Sequence, residues 1–594
     1  SARWAASRSR HLAGPPSLRL PAGRCSAGEA VEVSEPEVPA EQLAETLAVP
    51  SAEPSPPEDT AAAAAAPASP AHDAAAASAT LAAVPQAENP RSIVFVASEV
   101  APWSKTGGLA DVCQGLPPAL AARGHRVMVV APRYGEYEGP EYTGVTSTVW
   151  AFGASHTVGF HHEYDRGVDW VFVDHPGSYM RAGTPYGDAH GTFGDNQFRY
   201  TLLSLAALEA PLVLPLGGHP YGDECVFFAN DWHTGLVPVY LAAKYRPAGV
   251  YLGARCVFAI HNLFHQGVFP PGTFGGLGLA GHWFGALDYQ YPEWARQGAY
   301  EEEGHSVNTM KGALCTADRI VTVSPSYAAE IQEGLGGCGL DGVLRGRSFH
   351  TDGVLNGVAD GEWDPMSDEH IEANYGPGDL AGKAACKAAL QRELGLPERP
   401  DVPLLGFIGR LDFQKGPDLI QGAIHELMRE DVQLVMLGSG EPGYEDFMKW
   451  AEGAFPDRFR GWVGFSVPVA HRITAGADVL LMPSRFEPCG LNQLYAMHYG
   501  TVPVCHSTGG LKDTVTHFNP YGEGDFGTGW LFSPAEPGAM MHAVREAVGV
   551  YRSQPDMWQE MMAAGMRRDF SWERSALQYE EVFGWCKIDP PHAG

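Results

Sequence analysis

A glycine pair set between a β-branched run and a helix-like stretch occurs twice in this chain, and that repetition most limits how it can fold. The first copy spans residues 92–132. It reads Ile93-Val-Phe-Val-Ala97, then Lys105-Thr-Gly107-Gly108-Leu109-Ala-Asp111, then small and apolar residues closing at Gly124, then Val127-Met-Val-Val-Ala131. Short unbroken apolar runs are the pattern of strands buried on both faces. The stretch between them ends at glycine, the residue that best takes the left-handed position after a helix. The unit predicts strand, turn, helix and a second, parallel strand. Its turn places backbone N–H groups at a helix N-terminus with Lys105 beside them, an arrangement that attracts phosphate. The second copy, Ser507-Thr508-Gly509-Gly510-Leu511-Lys-Asp513, follows the apolar run 502–505. Two such units imply two Rossmann-like halves facing a cleft, one able to hold a nucleotide and the other an acceptor.

A chain of 594 residues is long enough for two or more domains. Its formal charge of -30 argues against nucleic acid as a main partner. No run of 18 apolar residues occurs, so no transmembrane helix is expected. The 10 cysteines are scattered without a Cys-x-x-Cys pair, which disfavours a zinc ribbon or a disulfide framework and fits a reducing compartment. Residues 1–90 read as a tail. Arg3, Arg8, Arg10, Arg19 and Arg24 stand among Ser, Ala and Pro, with no acid before Glu29, the composition of a transit peptide. From Cys25 to Pro90 there is no Lys or Arg, and Ala, Pro and Glu dominate. So few large apolar residues cannot offset the entropy of ordering, so this part is expected to be a disordered spacer.

Strand-like and helix-like stretches alternate over residues 91–356, the pattern of a doubly wound parallel sheet. Ligands of such sheets lie at the carboxyl ends of strands. Polar clusters fall there: Asn230-Asp231-Trp-His after one strand, His261-Asn262 after another, and Ser324 after a third. Asn230 or Asp231 alone could serve as a helix cap. Several such clusters on one sheet edge point to a ligand site. Residues 187–196, rich in Gly and His, read as a mobile loop. The alternation restarts over 357–567, where Arg410-Leu-Asp-Phe-Gln-Lys415-Gly416 follows a strand and precedes a helix over 418–428. Arg485-Phe-Glu487-Pro-Cys489-Gly490-Leu491 follows another strand. No Asp-x-Asp triplet occurs, so the metal clamp used by the other nucleotide-sugar transferase architecture is missing. No metal or cofactor is expected, and the charge of a diphosphate falls to Arg410, Lys415 and backbone N–H groups. Residues 568–594 carry one aromatic-rich helix, over about 569–587, read as packed on a domain surface or bracing the first domain.

These motifs, in this order, resemble the starch and bacterial glycogen synthases: Lys105-Thr-Gly-Gly-Leu, Asn230-Asp-Trp-His, His261-Asn, Gly409-Arg-Leu-Asp-Phe-Gln-Lys-Gly416, Arg485-Phe-Glu-Pro-Cys-Gly-Leu491 and Thr508-Gly-Gly-Leu511. The resemblance spans residues 92–587. Arg460-Gly-Trp-Val-Gly-Phe-Ser and His471-Arg-Ile-Thr-Ala-Gly are most similar to the soluble class I enzymes of plants and algae. The resemblance implies the two-domain GT-B fold and transfer of glucose, with retention, from ADP-glucose to the non-reducing end of an α-1,4-glucan such as amylopectin or a glycogen-like primer. Lys105, Gly107 and Gly108 would meet the sugar nucleotide near its phosphates, and Asp111 would shape their loop. Asp231, His261 and Asn356 would line the sugar site, and Arg410 and Lys415 would bind the diphosphate. Glu487 would bind sugar hydroxyls or stabilise positive charge at the anomeric carbon. Cys489, Gly490, Leu491, Thr508, Gly509 and Gly510 would present backbone and small side chains to glucose and phosphate. The resemblance further implies the chloroplast or plastid stroma, granule association, and complexes with other starch-building enzymes.

Ala110, Ala359 and Lys512 depart from the family's commonest residues, and none of them belongs to the diphosphate pair. Two other readings compete: a GT-B transferase using UDP-glucose, and a granule protein that binds glucan without turnover. The second would be marked by loss of Arg410, Lys415 or Glu487, and all three are present.

Overall fold

The computed structural model describes residues 84–290, 305–359, 361–522 and 525–593. The expected transit peptide and most of the spacer lie outside these residues. The end of the spacer does not. Ala87 donates its N–H to Arg123 O at 2.8 Å, and Arg123 Nη1 donates to Pro85 O at 2.8 Å, so the ordered chain begins before Pro90.

The first sheet has nine strands. In chain order they are β1 (Ser92–Val96), β2 (Arg126–Pro132), β3 (Glu141–Ala151), β4 (Ala154–Asp165), β5 (Val168–Asp174), β6 (Val226–Asn230), β7 (Arg255–Ile260), β8 (Arg319–Thr322) and β9 (Thr351–Gly353). Their spatial order is β9-β8-β7-β6-β1-β2-β5-β4-β3, parallel from β9 to β5, with β4 and β3 added antiparallel at one edge. Alternate residues of β1 enter different cores. Val94 and Val96 join one cluster, while Ile93 and Phe95 join another, as a sheet covered on both faces requires.

The second sheet comprises β10 (Leu404–Ile408), β11 (Gln433–Gly438), β12 (Phe459–Val463), β13 (Val479–Met482), β14 (Val502–His506) and β15 (Trp530–Phe532). All are parallel, in the order β12-β11-β10-β13-β14-β15. The strand order reverses direction between β10 and β13 here, and between β1 and β6 in the first sheet. At those points neighbouring crossovers leave on opposite faces and a crevice opens.

The helix predicted to follow the first Gly-Gly turn runs over Gly108–Ala122, and Gly124 takes φ 92 just beyond it. Residues 187–196 differ from the expected loop. They form a small ribbon, Gly187–Asp188 against Gly191–Thr192, and then enter the helix Asn196–Val213. The segment after the Asn230–His233 cluster is a regular helix only over Leu236–Tyr240 and widens to a π turn over Leu241–Tyr245.

The last helix, Trp572–Ile588, packs on the first sheet. Trp572, Tyr579, Val582 and Phe583 share a core with Phe95 and Val129, whereas Leu577 and Trp585 face solvent. Glu580 receives Arg123 Nε at 2.5 Å and Nη2 at 2.9 Å. The two segments that cross between the sheets run side by side, with Val358 N donating to Phe570 O at 2.8 Å.

Candidate functional site

The carboxyl ends of both sheets face one another, and the polar motifs of the sequence stand on those two edges. Gly108, at the start of its helix, is 3.7 Å (from an ideal Cβ) from Leu491 Cδ1 of the other half. Ser324 Oγ donates to Pro488 O at 2.6 Å. Phe264 and Phe486 lie with ring centroids 6.1 Å apart.

On the first edge, Lys105 Nζ reaches Asp111 Oδ1 at 2.6 Å and Glu362 Oε1 at 4.0 Å. Beneath the turn lies Glu99, a residue the sequence reading passed over. Its Oε2 accepts Thr106 N at 2.6 Å, and burial raises its carboxyl to about 7. Asp231 sits at the other side of the switch point with φ 56, a conformation a non-glycine residue rarely holds without tertiary support. It caps no helix through its side chain. Its Oδ1 instead accepts His261 N at 2.8 Å, and burial raises its carboxyl to about 7 as well, with the charge of Glu99 adding to the effect.

The tautomer of His261 follows from its neighbour. Asn230 Nδ2 donates to Val96 O at 3.0 Å and Phe228 O at 3.2 Å, so Oδ1 is the acceptor that faces His261 Nε2 at 2.9 Å. Nε2 therefore carries the proton and Nδ1 the lone pair. Burial lowers the imidazole to about 4 and keeps it neutral at pH 7. His233, which the sequence placed in its polar cluster without a role, is buried against Trp232 with centroids 4.0 Å apart. Its Nδ1 and Asn356 Oδ1 are buried without hydrogen-bond partners among the described residues, as groups that await a polar ligand would be.

On the second edge, Lys415 Nζ donates to Glu487 Oε1 at 2.9 Å and Oε2 at 2.7 Å, and Ser484 Oγ donates to Glu487 Oε2 at 2.9 Å. Glu487 is 6% exposed. Arg410 is open to solvent, held at Asp412 Oδ2 (3.0 Å) and Gln414 Oε1 (2.9 Å), and its charge helps lower the nearby His265, which burial lowers first. Gly416 takes φ 68, and a Cβ there would stand 2.3 Å from Pro483 O, so only glycine lets the Lys415 loop lie against the strand end. The Cys489 thiol is buried and raised to about 12, so it is present as a neutral small side chain.

The second Gly-Gly turn differs in one respect from an open cradle. Gly509 N donates to Glu330 Oε1 of the first half at 2.8 Å, and Gly510 N donates to Glu487 O at 3.0 Å. Thr508 donates to Glu330 as well. Gly490, at φ 68, passes the chain into the helix Asn492–His498 that follows Leu491. Lys105–Asp111, Asp231, Arg410–Lys415 and Glu487–Leu491 thus flank the switch points, whereas His261 follows β7, Asn356 follows the edge strand β9, and Thr508–Gly510 follow β14. Arg410 is the most exposed of the charged ones, at 60%. Glu99 stands just past the end of β1, where ligand-facing residues fall, and that position is the signal by which it could have been found.

Two facing parallel sheets with these loops on their inner edges define a glycosyltransferase of the GT-B class. A family model described as the starch synthase catalytic domain matches residues 92–346, and a model of glycosyl transferases group 1 matches residues 391–557. The chain is 58% identical over 510 residues to soluble starch synthase 1, chloroplastic/amyloplastic, of Solanum tuberosum, spanning 84% of this chain and 79% of that protein. It is 57% identical over 516 residues to starch synthase 1 of Arabidopsis thaliana, spanning 85% and 79%. Among solved structures, the catalytic domain of Arabidopsis starch synthase IV, bound to ADP and acarbose, matches with a TM-score of 0.73 at 31% identity, over 84% of this chain and all of that one. The chain belongs to the starch synthase family. It is a glycosyltransferase of starch synthesis, and its relatives' names place it in the plastid.

Proposed function

We propose that this enzyme moves glucose from ADP-glucose to the non-reducing end of an α-1,4-glucan with retention at the anomeric carbon. The observation that carries the reading is the Lys415–Glu487 pair at the switch point of the second sheet, with Nζ within 2.9 Å of both carboxylate oxygens. A diphosphate arriving there meets a cation already held in place, and a fixed donor aimed at developing negative charge lowers the barrier to its departure. Arg410, exposed and held only by Asp412 and Gln414 of its own loop, supplies the second positive charge and a forked set of donors. The leaving group is good, so no pair of carboxylates at glycosidase spacing is needed. Attack and departure share one face, and the departing phosphate takes the acceptor proton. Neutral His261 offers a lone pair at Nδ1 to a sugar hydroxyl. Asn356 Oδ1 offers a second acceptor, and Lys105 with Gly107 and Gly108 lies where the first half meets the donor. Glu487, relieved of Lys415 by the phosphate, is free to take sugar hydroxyls or offset charge at the anomeric carbon. Asp231 holds the His261 loop, Asp111 holds Lys105, and Cys489–Leu491 with Thr508–Gly510 shape the floor.

The domain division we infer is 91–356 on the acceptor side and 357–567 on the nucleotide side, with 568–594 returning to the first. Granule association and complexes with other starch-building enzymes fit this reading as accompaniments to a polymeric acceptor.

The test is incorporation of labelled glucose into glycogen by purified protein, with ADP-glucose and UDP-glucose at equal concentration. Incorporation from ADP-glucose is the expected result. Preference for UDP-glucose would overturn the donor assignment, and incorporation from neither, with folded protein and primer present, would favour a glucan-binding role.

A further inference from the structure

The short helices Pro325–Glu330 and Gly509–Thr514 belong to opposite halves, and each holds the start of the other. Ser326 donates its backbone N–H to Asp513 Oδ2 at 2.7 Å and its hydroxyl to Oδ1 at 2.7 Å. In return, Gly509 N donates to Glu330 Oε1 at 2.8 Å, and the Thr508 hydroxyl lies 3.2 Å from both Glu330 oxygens. Each carboxylate stands near the end of its own helix and at the beginning of its partner's. A carboxylate on first-turn N–H groups is favoured by hydrogen bonding and by the helix dipole together. Ser324 adds its bond to Pro488 O.

These contacts do not end at the interface. The loop with Gly509 and Gly510 lies so close to the loop with Glu487 that a Cβ on Gly510 would stand 1.9 Å from Cys489 O, and one on Gly509 would stand 2.0 Å from Glu487 O. Movement of the Thr508–Gly510 turn must therefore move Glu487, and Glu487 holds Lys415. A continuous path of packed backbone and charge-assisted bonds joins the first half to the cation at the centre of the second. Of the groups that make the contact, Ser326, Glu330 and Asp513 are half-buried, whereas Ser324, Thr508 and Gly509 are buried. Bonds of the half-buried kind exchange with water at small net cost, while Cys489 and Leu491 of the second half pack into the first half's core beside them.

We propose that the reciprocal pair, Glu330 on Thr508–Gly509 and Asp513 on Ser326, is the latch that closes the two halves, and that Glu330 and Asp513 are positioning residues for transfer. The proposal rests on the transfer reading above for its kinetic consequence and on the interface geometry alone for its conformational one. A closed latch sets the distance between Lys105 and Asp231 on one edge and Lys415 and Glu487 on the other. An open one leaves each edge intact and the pair out of register.

The experiment compares the unsubstituted chain with Glu330→Gln, Asp513→Asn and the milder Ser326→Ala. Readouts are kcat and KM for transfer to glycogen, ADP affinity by calorimetry, and the radius of gyration by small-angle scattering with and without ADP. Loss of one charge-assisted contact predicts a fall in kcat of about tenfold for each carboxylate variant, and a smaller fall for Ser326→Ala. ADP affinity should change less than kcat, and the radius of gyration should rise. Wild-type kcat and dimensions in both carboxylate variants would overturn the latch, as would a fall in kcat with unchanged dimensions. If the unsubstituted chain transferred no glucose, the transfer reading would fail, while the scattering comparison would still decide whether the two carboxylates hold the halves together.

Discussion

Single residues on the inner edges are held in states that bulk water would not give them. Lys415 is the clearest case, its ammonium fixed by both oxygens of a buried carboxylate. Lys415→Ala should lower kcat/KM by at least roughly 100-fold, the size of loss expected when one strong transition-state contact is deleted. Steady-state kinetics well below the melting temperature would check it, and an unchanged kcat/KM would remove Lys415 from the diphosphate site. Glu99 makes a different prediction. Its folded carboxyl is raised to about 7 from 4.5 by burial. The folded chain holds a proton there that the unfolded chain has already released, so this group's contribution to stability falls as pH rises across that window. Glu99→Gln is blind to pH, so its melting temperature relative to the unsubstituted chain should climb between about pH 5 and about pH 7. A constant offset would show that Glu99 ionises normally.

At the scale of elements, each Gly-Gly turn encloses a carboxylate of the protein itself: Glu99 in the first and Glu330 in the second. The turns thus hold a carboxyl group in fact as well as in pattern, and burial raises both of these carboxyls. Their glycines answer to different needs. Gly509 takes φ 45, whereas Gly510 lies outside the left-handed region and is needed for space alone. Gly510→Ala should therefore act by pure steric conflict with Cys489 O. We expect at least about 2 kcal/mol lost in urea unfolding, the range of overpacked buried sites. Transfer activity should fall further than stability, because the displaced loop carries Glu487. Full activity with unaltered unfolding would mean that the two loops can separate freely.

For the whole molecule, the returning helix is the element that ties the ends together. Trp572 fills the space between Gly115 of the first helix and Gly357 of the crossing segment, where added Cβ atoms would lie 2.0 Å and 2.7 Å from its ring atoms. Glu580 then joins Arg123 and His125, and Arg255 Nε reaches Asp589 O at 3.1 Å. Trp572→Ala should cost about 3–5 kcal/mol, as large aromatic truncations in cores do. Thermal melting would read the loss directly, and a melting temperature equal to that of the unsubstituted chain would show that the helix merely rests on the sheet. The same residue lies next to both crossings between the halves, so its loss should also loosen their relative orientation.

How much of this was legible beforehand follows from the range of the forces involved. Strands such as β1 and β10, the helix after each Gly-Gly turn, and the placing of Asp231, His261, Arg410 and Glu487 at strand ends were readable, because local apolar runs and turn residues specify them within a few positions. The fold class followed from their alternation. Misreadings had two causes: locally, a Gly- and His-rich stretch folded into a ribbon, and at longer range the spacer ended early because Arg123 offered partners to Pro85 and Ala87. Nothing in the residues near Glu330 or Asp513 marks them as partners across a cleft, since those bonds join positions 179 and 187 residues apart. The burial that raises Glu99 and Asp231 and lowers His261 likewise has no local signature. The sequence by itself determined which elements form and which chemical groups stand at their ends, because hydrophobic periodicity and backbone preference act over a few residues. Only the tertiary structure decided which of those groups meet and how each is charged, because contact and desolvation depend on what the distant chain brings alongside.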